Sequence, residues 1–317
     1  MGWDYDGHNG GNQSPAARIA SGAVGIVVAA GLAVLVLRPE LMPWRDAEDT
    51  TPLAAETGRP SAAPSAEAFP DLPTLREPFR GSPAVRWADG AAGIEPPAAR
   101  ATGWMSKAQV EAALRRTKEF LVAANLDPAV LKGGKPAAAL RLIDPKQPDV
   151  RAELEKSLTA PTETNDPTSL FTRFGPGEIR PVGTVVKTRG RMTVEEGKGK
   201  DAGNVIVRTD YTFVYPVVKT APGSDEVART IVRRTLVVAL PDPEKFEATP
   251  GKLSLWEWNA DLGNSACDVF DGFLHPQFDS DLATDPDATP AGPEQDPYDR
   301  SKDLGDASQE CGTVSRT

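Results

Sequence analysis

The sequence predicts an α+β domain carried on a membrane anchor, and three observations lead there. One uncharged apolar run sits near the N-terminus, a helical period occupies residues 106–124, and period two takes over between Val205 and Leu240. Helices first and strands afterwards make an α+β chain with a segregated antiparallel sheet. Although 317 residues could hold two domains, the 30 prolines, 28 glycines and 6% aromatics are unevenly spread, so one folded domain is expected.

The apolar run is IASGAVGIVVAAGLAVLVL, Ile19 to Leu37, bracketed by Arg18 and Arg38. As a helix it would span roughly 28 Å, about one hydrocarbon core. A cleaved signal peptide is the rival reading, but the leader carries Asp4 and Asp6 and the run is followed by RPELMPWR, with Trp44 suited to the interface. Residues 1–18 are therefore expected as a leader and 19–37 as a transmembrane helix in contact with the lipid bilayer. The arginines flanking the run are too even to fix its orientation. Two cysteines in the whole chain, both far downstream, fit one disulfide in an oxidising compartment and favour a cytoplasmic N-terminus; two unpaired thiols would look the same. The expected location is thus the cell membrane, single-pass, with the C-terminal domain extracellular.

Residues 38–103 repeat Pro, Ala, Glu and Ser without a hydrophobic period and predict a disordered linker, able if extended to hold a domain on the order of 100 Å or more from the bilayer. Order is expected over 104–278. Ser106 and Gln109 make a capping-box pattern ahead of Val110, Leu114, Thr117, Leu121 and Ala124 at helical spacing. Shorter helices are expected over 136–142 and 148–158. Val205, Val207, Tyr211, Phe213, Tyr215 and Val217 alternate with Arg208, Asp210 and Thr212, which predicts a half-buried strand; 230–240 pairs with it, and 182–194 and 253–258 supply two more strands. About four strands, as a curved sheet on N-terminal helices, result. Residues 279–317 read as a solvated acidic tail.

The stretch SACDVFDGFLHP, residues 265–276, places Cys267, Asp268, Asp271 and His275 together, the residue types of a thiol enzyme. Cys311 is the only other thiol, so a Cys267–Cys311 disulfide is the economical reading, with a reactive thiol or two unpaired thiols as alternatives. No phosphate loop, H-E-x-x-H, G-x-S-x-G or C-x-x-C occurs, and two histidines are too few for a transition-metal site. Asp279, Asp281, Asp285 and Asp287 lack the glycine and glutamate of an EF-hand loop. No cofactor and no metal is expected. Arg208, Arg229, Arg233 and Arg234, with Arg189 and Arg191 on a neighbouring strand, form a possible basic strip for phosphate groups; cross-strand ion pairing is the plainer reading. A net charge of −10 disfavours nucleic acid. Asp210, Tyr211, Glu257 and His275 are acid-base candidates should the sheet enclose a pocket.

The order of elements resembles the cystatin-like and nuclear-transport-factor-like cone folds. The stretches TDYTFVYPV, RTIVRRTLVV and LGNSACDVFDGFLHPQF resemble a group of uncharacterised actinobacterial single-pass membrane proteins, a resemblance that implies a location and no activity. In layout the chain is similar to the anchored platform subunits of secretion channels. The expected function is an anchored extracytoplasmic interaction or scaffold domain with a protein or envelope partner; the alternative is a small-ligand or enzymatic pocket in the concave face of the sheet.

Overall fold

The computed structural model describes residues 51–64, 72–284, 292–304, 312–315 and 317. The leader, the expected membrane helix at 19–37, Asp285, Asp287 and Cys311 lie outside the described residues. Among the described residues no helix is long and apolar enough to cross a membrane.

The architecture is α+β. In chain order it comprises β1 (Ala88–Asp89), α1 (Lys107–Asn125), α2 (Pro128–Leu131), α3 (Ala137–Leu140), α4 (Pro148–Thr159), β2 (Ile179–Pro181), β3 (Lys187–Glu196), β4 (Asn204–Lys219), β5 (Ala228–Pro241), β6 (Ser254–Gly263) and α5 (Asp279–Thr284). Strands β3 to β6 form an antiparallel meander in chain order, with β1 added beside β3 and β2 beside the end of β4.

Helix α1 begins where the sequence places it. The Ser106 hydroxyl accepts from the Gln109 amide while Gln109 Oε1 accepts from the Ser106 amide at 2.8 Å, a complete capping box that satisfies two otherwise orphaned donors. Val110, Leu114, Thr117, Leu121 and Ala124 are buried as the period requires, joined by Ala113, Phe120 and Asn125. This stripe packs in one core with the odd-numbered face of β4, from Val205 to Val217, and with Val232, Leu236 and Val238 of β5. Gly190 of β3 lies directly opposite Tyr211, whose ring fills the space a side chain would take: a Cβ there would stand 2.3 Å from Tyr211 Cδ1.

Three expectations are corrected. Strand β4 is buried on both faces rather than one, with Arg208 its single fully exposed residue. The cover of its second face comes from the segments read as linker and as tail. Within the stretch read as a linker, Phe79, Ala84 and Trp87 form a second apolar cluster with Val214 and Ile231, and Ile94 joins the main core. From the tail, Tyr298 packs edge-on to Trp87 at a ring separation of 5.7 Å, and its hydroxyl shares a 2.9 Å hydrogen bond with Ser82 Oγ. The physical reason is that these anchors are few and irregularly spaced. Such residues bury apolar area without producing a period, so the compositional signal of disorder prevails in the sequence.

Candidate functional site

The six arginines considered as a strip divide between the two faces of the sheet. Arg208 is exposed and pairs with Glu195 at 2.9 Å. Arg229, buried on the outer face, donates to the Arg80 carbonyl. Arg233 is on that same face, held by Asp210 through two parallel bonds, Nε to Oδ1 at 3.0 Å and Nη2 to Oδ2 at 3.1 Å. Arg234 points the other way, into the core. No continuous basic strip results, because alternate residues of a strand face opposite sides.

Around Asp210 the chain assembles an ion cluster from four regions. Arg300 of the C-terminal segment donates to the Asp210 carbonyl at 2.8 Å and stands 3.4 Å from its carboxylate, while Arg191 of β3 lies at 3.8 Å. Glu56 of the N-terminal segment pairs with Arg300 and, at 3.4 Å, with Arg189. Burial works against the Asp210 charge, but the Arg233 hydrogen bonds and the charges of Arg300, Arg233 and Arg191 outweigh it and hold the carboxyl below the ordinary aspartate value. Asp261, opposite Arg233 on β6, shows the reverse balance: burial raises its pKa more than Arg233 lowers it. The cluster ties the two end segments to the sheet.

Arg234 makes the second polar node. Its side chain is buried in the helix–sheet core, where Nε donates to Asn125 Oδ1 at 2.7 Å and Nη2 to Thr172 Oγ1 at 3.3 Å. Tyr215 Oη donates to the Asn125 carbonyl at 3.0 Å. Burial lowers the Arg234 pKa to about 10. Asn125 is the last residue of α1, and Tyr215 and the Asp166 carboxylate partly offset the burial of the guanidinium. The node is a structural tie between helix and sheet.

The four acid-base candidates do not converge. Asp210 faces the outer side of β4 and Tyr211 the core, Glu257 is exposed on β6, and His275 lies on a different loop with its Nε2 2.9 Å from Asp271 Oδ1. In residues 265–278 the backbone doubles back, since the Ala266 amide donates to the His275 carbonyl and the His275 amide to Ser265 Oγ. Gly272, at φ 86°, permits the turn, and its amide donates to Asp166 Oδ2. Arg173 stacks on Phe273 at 4.5 Å and donates to the Gly272 and Gly133 carbonyls. The loop is therefore pinned to the helical layer. There is no free cysteine among the described residues, and the expected partner of Cys267 lies outside them.

Where a concave sheet would offer a chamber, Tyr211, Phe213 and Tyr215 are fully buried beneath α1. Open depressions lie at the surface of the described residues. One, of about 470 Å³, is lined by Glu178, Lys219, His275 and Phe278 among others. Another, of about 500 Å³, is lined by Lys200, Pro241, Phe246 and Trp256 among others. Between Val237 and Val238 the register of β5 with β6 shifts, so that Trp256 opposes no residue and stands 41% exposed beside Phe246 at 44%. A bulge that redirects a side chain leaves no trace in alternation, which is why the sequence reading missed the exposure of Trp256. Among the described residues no group of three or more His, Cys, Asp or Glu side chains is placed to hold a metal ion. Scans against protein-family models, curated proteins and solved structures found no match to this chain.

Proposed function

We propose that the chain is a single-pass membrane protein whose α+β domain lies outside the cytoplasm and binds another protein or an envelope component, without chemistry of its own. The observation that carries this reading is the filling of the sheet's helix-covered face: Tyr211, Phe213 and Tyr215, each fully buried, occupy the volume in which a small ligand would otherwise react. Trp256, turned to solvent by the bulge, and Phe246, exposed on the β5–β6 connection at the same depression, supply the surface for a partner. Ile19 to Leu37 supply the anchor, and a Cys267–Cys311 bridge would hold the C-terminal segment to the domain in an oxidising compartment. The resemblance to actinobacterial single-pass membrane proteins and the layout shared with platform subunits of secretion channels agree with this location.

The test is photocrosslinking in membranes from a reactive residue at position 256, with Phe246→Ser as control. A discrete protein or envelope adduct that disappears in the control is expected. No adduct, together with a small molecule that raises the Tm of the domain, would overturn the reading.

A further inference from the structure

The stretch TPLAAETGRPSAAP, residues 51–64, lies along the outer sheet face without forming helix or strand. Its half-buried residues are Leu53, Glu56, Pro60 and Pro64, the rest of the stretch being exposed. Its attachments are specific. The Leu53 amide donates to the Arg86 carbonyl at 2.8 Å, and its side chain packs on the Phe79–Trp87–Tyr298 cluster. Arg189 donates to the Ala54 carbonyl at 3.4 Å and pairs with Glu56; Arg300 pairs with Glu56 and Asp303 with Arg59. None of residues 51–64 belongs to the main core, and none contributes to the ladder of β3 to β6.

We infer that residues 51–64 are a latch that leaves the sheet as a unit while the domain stays folded. Detaching it leaves the helix–sheet core and the strand ladder with every contact they have. Glu56 is the catch: its carboxylate is buried between two guanidiniums, with one oxygen, Oε1, left without a hydrogen-bond partner. A buried carboxylate only partly satisfied by its neighbours sits closer to release than one with every lone pair occupied.

The Arg189 side chain reaches the strap at Ala54 and Glu56, so Arg189→Met loosens the latch selectively. The full-length protein in detergent micelles is exposed to the Glu-specific protease that cuts after Glu56, while amide exchange is followed at Leu53 and across β5. In the wild type, cleavage after Glu56 should proceed although β5 amides remain protected. In Arg189→Met it should accelerate at least about tenfold, with the Leu53 amide exchanging correspondingly faster and β5 unchanged. Cleavage no faster than wild type in the variant, or cleavage that tracks loss of β5 protection, would overturn the latch. Because the readout is made in micelles, it stands or falls independently of whether residues 19–37 span a bilayer.

Discussion

Asp210→Asn removes the charge on which the two end segments and the sheet converge. Asp210 and its partners Arg233 and Arg300 have side chains 8%, 4% and 2% exposed, so water screens the pairs little. Asparagine keeps the shape and one acceptor but leaves the guanidiniums of Arg233, Arg300 and Arg191 without their shared counter-charge. Removing one member of a buried pair costs about 3–5 kcal/mol. For a domain of this size that corresponds to a fall in Tm of roughly 6–20 °C. The internal comparison is Arg208→Ala, which breaks the exposed pair with Glu195 and should cost no more than about 1 kcal/mol. Urea titration of both variants beside the wild type measures the difference, with a constant slope as the check on two-state behaviour. The double variant Asp210→Asn with Arg233→Met should recover part of the loss, because it removes both buried charges together. A loss from Asp210→Asn no larger than that from Arg208→Ala would refute the reasoning, since the cluster would then be decoration on a sheet held by its apolar contacts alone.

The same carboxyl makes the deficit pH-dependent. Asp210 has its folded pKa below the unfolded value of about 3.9, so its contribution is fully present above that value and is lost as pH falls through the folded pKa. Wild type and Asp210→Asn should therefore converge in Tm as the pH falls below about 4, while Asp261, displaced upward by burial, favours folding slightly as the pH falls through its raised value. Gly190→Ala should destabilise by about 1–3 kcal/mol in thermal unfolding, because the new methyl meets both Tyr211 Cδ1 and the Asp210 carbonyl, at 2.3 and 2.4 Å. Ser106→Ala should cost about 1 kcal/mol in the same assay through loss of the α1 cap, and Ser106→Thr should restore most of it.

The parts of the fold that a period specifies were legible. The capping box at Ser106 and the stripe from Val110 to Ala124 mark α1 because an amphipathic helix cannot bury its face without repeating it. The alternation in 205–217 likewise identifies β4, and the order of helices and strands gives the class. Legibility ended where burial comes from isolated anchors. Trp87 and Tyr298 lie 211 positions apart, and nothing local links them, yet their edge contact helps to cover the second face of the sheet. The arginines show the same limit: sequence could place Arg233 and Arg234 side by side but not distinguish the one that reaches Asp210 from the one beneath α1, because that depends on which parity faces the helix. The bulge at Trp256 breaks that parity outright. The cysteine and histidine of residues 265–276 looked chemical because of their proximity along the chain, whereas the turn at Gly272 brings His275 to Asp271 and its backbone to Ser265 and Ala266.

The central claim, an anchored domain on the far side of the membrane from its leader, is tested most directly by labelling Cys267 in intact cells with a membrane-impermeant thiol reagent. The account expects no labelling until a reductant that likewise stays outside is added, and full labelling afterwards. Labelling that requires permeabilised cells, with or without the reductant, would contradict it.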